Sequence, residues 1–229
     1  MNIALITSNN LRHINFAKII CEHINVKHIV FEHKAYGSES LQDKELSYFP
    51  DCVEWEPDVK HTFQYHGNVS KLLVESLLKE LELDYIFTFG CGLLKPSIYN
   101  IPKYGCINIH TGLVQYYRGV DSNIWAIMDE HMDRIGSTIH YIDSSIDAGK
   151  VIDQRKLDLT TLSSSDTLDD LFIKTCILGI DLLVDNLESI LENKINTIDC
   201  KTSGKLYQNK DRNEEIVFKA EQKLKELLS

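Results

Sequence analysis

The sequence predicts an α/β fold, a mostly parallel sheet flanked by helices, followed by a small C-terminal appendage. Three observations predict it. The chain opens on an apolar run, a helical stretch and a second apolar run, the β-α-β unit of doubly wound sheets. Two further apolar runs, Asp84 to Phe87 and Tyr104 to Ile109, follow a leucine-rich helical stretch. The 229 residues, 43% hydrophobic and 25% charged, suffice for one sizeable core and a little more. The expected boundaries are a main domain over 1–195 and an appendage, a loop plus a helix, over 196–229.

Asn2 to Thr7 (NIALIT), bounded by Ser8, Asn9 and Asn10, reads as a central parallel strand. Asn9 or Asn10 is placed to cap the helix that follows, where Phe16, Ile19, Ile20 and His23 fall at helical spacing. Val26 to Phe31 is the second strand. Glu32 to Gln64 is polar, contains Pro50 and Pro57, and reads as irregular. Ser70 to Leu83 forms a helix with Leu72, Leu73, Leu77, Leu78 and Leu81 on one face. The strand Asp84 to Phe87 runs into Thr88 to Leu94 (TFGCGLL).

Pro102 to Val151 is the stretch around which the rest is organised. It reads as a buried strand (Tyr104 to Ile109), a polar loop, a short helix, a second strand (Ser137 to Ile142) and a loop ending in Asp147. Val151 to Leu159 is expected to run antiparallel to its neighbour. Ser165 and Asp166 open a long helix that ends near Glu192. The tail from Cys200 is charged, and its helix carries a narrow stripe of Ile216, Ala220, Leu224 and Leu227. That stripe suits docking on its own subunit or on a second copy.

Composition narrows the function. A net charge of -10 argues against a nucleic-acid partner, which favours a basic surface. No apolar run reaches the roughly 20 residues of a membrane span. The start, MNIALITSNN, lacks the basic region and cleavage pattern of a signal peptide, and the six scattered cysteines form no CxxC pair. A cytoplasmic protein with reduced thiols is expected.

The chemistry centres on one strand. Asn108 and His110 lie two positions apart, so their side chains share a face with Cys106, while Ile107 and Ile109 point away. The place where a strand of an α/β sheet runs out into a loop is where such sheets bind ligands. An amide donor stabilises an oxyanion, and an imidazole moves a proton near neutral pH. A carboxylate such as Asp147 orients the imidazole and favours its protonated form. The three suit acyl transfer without a covalent enzyme intermediate.

Other chemistries fit less well. The loop after the first strand has no glycine, and Gly90 and Gly92 are followed by Lys95 where a dinucleotide fingerprint needs its third glycine. The nine histidines include no HExxH, and no metal is expected. No serine sits in a GxSxG elbow, and Cys91 and Cys106 read as small buried hydrophobes. Trp125 and His140 read as buried structure. Arg118 is suited to an anionic acceptor or to anchoring its own loop, and Arg12 and His13 to a phosphate or to a solvated helix start.

The spacing carries further. Gly105-x-x-Asn108-x-His110, Tyr117-Arg118-Gly119, Trp125-Ala126-Ile127, Gly136-x-Thr138-x-His140 and Asp147-x-Gly149 together resemble the formyltransferases that use 10-formyltetrahydrofolate, most closely over roughly residues 80 to 155. The resemblance implies a Rossmann-like catalytic domain, with Asn108, His110 and Asp147 as catalytic residues. It implies a folate cosubstrate, 10-formyltetrahydrofolate, lying against Gly90, Cys91, Gly92, Leu93 and Leu94 and against Tyr141, Ile142 and Asp143. It implies an acceptor amine arriving near Ser8, Asn9, Asn10, Arg12 and Arg118.

Within that family, the loop HTGLVQYYRGVDSN lacks the prolines usual in methionyl-tRNA formyltransferases, and the tail is too short for their basic barrel. The first-strand loop lacks the glycine of glycinamide ribonucleotide formyltransferases. The size, the Leu11 to Phe16 stretch and Gly204 to Asp211 (GKLYQNKD) look most like sugar-nucleotide N-formyltransferases. That resemblance implies an amino-dideoxy sugar on a nucleoside diphosphate as acceptor, such as dTDP-4-amino-4,6-dideoxyglucose. It further implies a role in surface polysaccharide or O-antigen synthesis, and a homodimer.

Overall fold

The computed structural model describes residues 1–35, 37–66, 72–199 and 204–229. Within them the chain divides into two compact units, Met1–Ile109 with Tyr141–Ser144, and His110–His140 with Ser145–Ser229.

The first unit alternates strand and helix. Its elements are β1 (Ile3–Ser8), α1 (Leu11–His23), β2 (His28–His33), α2 (Glu39–Tyr48), β3 (His61–His66), α3 (Leu72–Lys79), β4 (Tyr85–Phe89), α4 (Pro96–Tyr99) and β5 (Gly105–His110). The strands are parallel in the order β3-β2-β1-β4-β5. β1 lies between β2 and β4, with Leu5 opposite Ile29 on one side and Phe87 on the other, and all six of its residues are buried. That position explains its unbroken apolar run. Ile6, Val30, Leu78, Ile86, Ile98 and Cys106 form one core cluster. Each fully buried Ile or Leu there contributes roughly 1.5–3 kcal/mol.

Two expectations are corrected here. Asn10 occupies the N-cap position of α1, but its side chain makes no capping bond; Asn10 Oδ1 instead faces the Ser8 hydroxyl. Glu32 to Gln64 is not irregular. It holds the end of β2, helix α2 capped by Ser38 onto Leu41 N (3.1 Å), a single 3-10 turn at Pro50–Cys52, and edge strand β3. The buried positions of α2 are Leu41 and Glu45, and a charge at the second hides the apolar period. β3 alternates between half-buried and exposed positions, and its exposed residues, Thr62, Gln64 and His66, are all polar.

The second unit holds β6 (Tyr117–Gly119), α5 (Ser122–Met128), β7 (Gly136–Tyr141), β8 (Val151–Lys156), α6 (Leu168–Leu191), β9 (Lys205–Tyr207) and α7 (Glu214–Leu228). β7 and β8 are antiparallel, as expected, with a register shift between Ile139 and His140. β6 and β9 form a short parallel pair that the sequence did not announce, since three residues carry no periodicity. α6 starts later than expected. Its cap is Thr167, in a capping box with Asp170, while Asp166 accepts from Ser163 N at 3.2 Å in a separate turn.

The stripe of α7 packs on its own chain. Ala220 and Leu224 are buried with Trp125, Ile127 and Leu171, and Ile216, Val217 and Leu228 pack on that cluster. Leu227, expected in the stripe, is 46% exposed. Trp125 is core, as expected, stacked on Tyr207 with ring centroids 4.0 Å apart. The expected helix start at Ser70 and the tail residues 200–203 lie outside the described residues. Among the described residues no helix is long and apolar enough to cross a membrane.

Candidate active site

His110 ends β5 and is 6% exposed. Its Nδ1 lies 3.4 Å from Asp147 Oδ2. Its Nε2 lies 3.1 Å from the Tyr117 carbonyl oxygen and 3.1 Å from Ser122 Oγ. The two Nε2 partners serve two protonation states. A neutral ring with its proton on Nδ1 accepts from the Ser122 hydroxyl; a cationic ring donates from Nε2 to the Tyr117 carbonyl. Gly112 is required beside them, because a Cβ there would stand 2.5 Å from Ser122 Oγ and 2.6 Å from His110 Nε2.

Asp147 sits in the left-handed region, at φ 48°. Its Oδ2 also accepts from Gly119 N at 2.9 Å, and its Oδ1 lies 3.6 Å from His140 Nε2. Burial would push this carboxyl up, but the two imidazoles and the Gly119 N–H outweigh it and hold it below the usual carboxylate range. Burial also dominates at His110 and lowers its pKa, against the pull of Asp147, while His140 pushes it down again. The carboxylate does favour the imidazolium, as expected, but burial outweighs it. At rest the pair is a carboxylate facing a neutral imidazole.

Asn108 lies on β5 two residues before His110. Thr88 Oγ1 donates to its Oδ1 at 2.9 Å, which leaves the NH2 end of the amide as the donor.

The residues expected along the folate fall in the first unit. Leu94, Cys91 and Ile142 pack on the cluster around Cys106, and Ile142 N donates to Cys106 O at 2.8 Å. Leu93 is 68% exposed. Gly90 has φ +68°, and a Cβ on it would meet the His13 ring at 2.0 Å. Gly92 N donates to Glu32 Oε2 at 2.5 Å. The Tyr141 ring covers Gly105, where a Cβ would stand 2.7 Å from it. Asp143 follows β7 and is exposed. Burial pushes the Cys91 thiol up to about 12 and Cys106 well above its ordinary value, so both are inert thiols.

The residues expected at the acceptor are already bonded within the protein. The Ser8 hydroxyl sits between Asn10 Oδ1 (3.1 Å) and His13 Nδ1. Asn9 Oδ1 accepts from Lys34 N at 2.7 Å. Arg12 pairs with the buried Glu45 carboxylate. His13 is buried against Phe89 rather than solvated, and burial lowers its pKa well below the ordinary value. In the second unit, Arg118 donates from Nε to Gly204 O at 2.7 Å and from Nη1 to Ile146 O at 3.1 Å.

Sequence reasoning missed Ser122 and the backbone groups of Tyr117 and Gly119. Ser122 opens a helix, where a serine reads as a cap, and main-chain partners leave no mark in composition. His140 was read as buried structure, yet it reaches the same carboxylate as His110. Among the described residues no group of three or more His, Cys, Asp or Glu is placed to hold a metal ion.

A family model described as formyl transferase matches residues 1–187. The chain belongs to the formyl transferase family. The match is wider than the motif-bearing stretch. A methionyl-tRNA formyltransferase from Listeria monocytogenes is 38% identical over 129 residues, 55% of this chain and 40% of the relative. The match thus spans about two fifths of the length of the methionyl-tRNA formyltransferases that the chain is similar to. Among solved structures, a 4-N formyltransferase from Francisella tularensis is similar at TM-score 0.65 and 22% identity, over 92% of this chain and 77% of that one. An N-formyltransferase from Helicobacter canadensis, in complex with folinic acid and dTDP-3-aminofucose, is similar at TM-score 0.62 and 20% identity, over 93% and 73%. These formyl transferases share the expected fold, a mostly parallel sheet flanked by helices.

Proposed function

We propose that this chain transfers the formyl group of 10-formyltetrahydrofolate to the amine of a nucleotide-linked amino-dideoxy sugar. The observation that carries the reading is the buried His110–Asp147 pair, with Asn108 on the same strand, in a formyl transferase chain. The folate supplies a formyl group on nitrogen: the amine nitrogen bonds to the formyl carbon, the bond from that carbon to N10 breaks, the amine loses a proton and N10 gains one.

In this reading Asn108 donates its amide N–H to the formyl oxygen as charge develops there; removing one such donor costs roughly a hundred- to a thousandfold in rate. His110 takes the amine proton at Nε2, displacing the Ser122 hydroxyl. Asp147 and the Tyr117 carbonyl then hold the imidazolium. The transferable proton is returned toward N10 as the carrier leaves. Holding both substrates against one rigid strand supplies the rest through proximity. Leu94 and Ile142, packed with Cys91 on the same core cluster, fit a flat aromatic carrier. Ser8, Asn9 and Asn10 line the acceptor side, with Arg12 and Arg118 shaping their loops through Glu45 and two carbonyls.

The Helicobacter canadensis neighbour, solved with folinic acid and dTDP-3-aminofucose, supports these substrate classes. The Listeria relative supports a second reading, with methionyl-tRNA as acceptor. A net charge of -10 disfavours it, because polyanion binding rests on basic surface. The test incubates the protein with 10-formyltetrahydrofolate and each of a panel: dTDP-, UDP- and GDP-linked amino sugars, methionyl-tRNA, and buffer alone. A formyl mass gain on an amino sugar is expected. Formylation of methionyl-tRNA alone, or folate deformylation without acceptor, would replace the reading.

A further inference from the structure

We propose that His140 is a positioning residue of this site: it holds the Asp147 carboxylate by the oxygen opposite His110, and so sets how strongly that carboxylate draws a proton onto His110. The inference rests on the reading of His110 and Asp147 given above. Oδ2 of Asp147 serves His110 Nδ1 at 3.4 Å and Gly119 N at 2.9 Å; Oδ1 faces His140 Nε2 at 3.6 Å. Side-chain exposures are 16% for Asp147, 6% for His110 and 3% for His140, so little water intervenes in the sharing.

Two features of the backbone aim these groups. The β7–β8 ladder shifts register between Ile139 and His140, pairing Ile139 with Asp153 but His140 with Val151. Such a bulge re-aims a side chain, and bulges recur beside active sites. Asp147 itself holds a left-handed conformation, φ 48°, which non-glycine residues adopt at a cost of order 1–3 kcal/mol. Strand irregularity on one side and backbone strain on the other bring imidazole and carboxylate together.

A carboxylate held at one oxygen turns about its last bond; held at both, its plane is fixed. An N–H directed at Oδ1 also draws charge from the carboxylate, which tempers its pull on His110. Among the described residues, His110 is faced by Asp147, His140, the Ser122 hydroxyl and the Tyr117 carbonyl. Asp147 is faced by both imidazoles and the Gly119 N–H, with the Arg118 guanidinium bonded to the neighbouring Ile146 carbonyl.

The experiment compares wild type, His140→Leu and His140→Gln. One readout is NMR titration of the His110 imidazole, which needs no substrate; the other is the pH profile of kcat/KM for formyl transfer. In His140→Leu the His110 midpoint should rise by about half a unit or more. The acid limb of kcat/KM should move up with it, and kcat should fall about tenfold. Glutamine, which keeps an N–H donor at similar reach, should restore both in part. Should the leucine variant not fold, His140→Asn, too short to reach Oδ1, carries the same expectation. A His110 midpoint that stays put or falls overturns the inference, whatever happens to kcat. If the wild type formylates nothing, the functional reading fails, and the NMR titration still decides the role of His140.

Discussion

Nδ1 of His110 stands 3.4 Å from Oδ2 of Asp147, at the end of β5 and in the loop after β7 respectively. Neither residue is exposed enough for water to screen the pair, so carboxylate and imidazole depend on each other for their protonation states. Removing the charge while keeping the shape isolates that dependence. Asn tolerates the left-handed backbone of Asp147. In Asp147→Asn, kcat for formyl transfer should fall on the order of a hundredfold or more, with thermal unfolding within a few degrees of wild type. Steady-state kinetics and a melting curve check both.

Gly119 joins two roles. Its φ is +83°, and a Cβ there would meet Tyr207 O at 2.0 Å, while its N–H holds Asp147. Gly119→Ala should therefore part β6 from β9 and loosen the carboxylate together. The expected cost is about 2 kcal/mol of stability, read by urea unfolding, with a loss of transfer activity beyond what Tm explains.

His28 links stability to pH away from the site. Burial first, then His61, Lys60 and Lys27, hold its folded pKa down to about 4. In the unfolded chain it titrates near its ordinary value of about 6.5. Between those values the unfolded chain binds the extra proton, so this contribution is whole above about pH 6.5 and is lost as pH falls toward about 4. The denaturation midpoint should drop across that window in wild type, and less so in His28→Gln.

Thr167 caps α6 in a capping box with Asp170. Thr167→Ala should cost about 1 kcal/mol, seen as a lower denaturation midpoint, with kcat unchanged.

What was legible in the sequence was whatever the core dictates on two sides. β1 and β5 are sandwiched, so their apolar runs declared both the parallel sheet and the strand that carries Asn108 and His110. α2 and β3 were not legible, because one buries a glutamate against Arg12 and the other is covered on one face. The three side chains named for catalysis were reached by residue type and spacing. Their surroundings were not, because Ser122 reads as a helix cap and Tyr117 and Gly119 act through main-chain atoms. The net protonation state was not legible for a related reason: the sequence shows a carboxylate that favours the imidazolium but not how far the ring is withdrawn from water, and burial decides the sign at His110.

The central claim is that His110 moves the proton during formyl transfer. The most direct measurement is kcat of His110→Ala beside wild type, with 10-formyltetrahydrofolate and the amino sugar that wild type accepts, after circular dichroism has confirmed the fold. The account predicts turnover by wild type and a loss of roughly a hundredfold or more in the variant. Near-normal turnover by His110→Ala would contradict it.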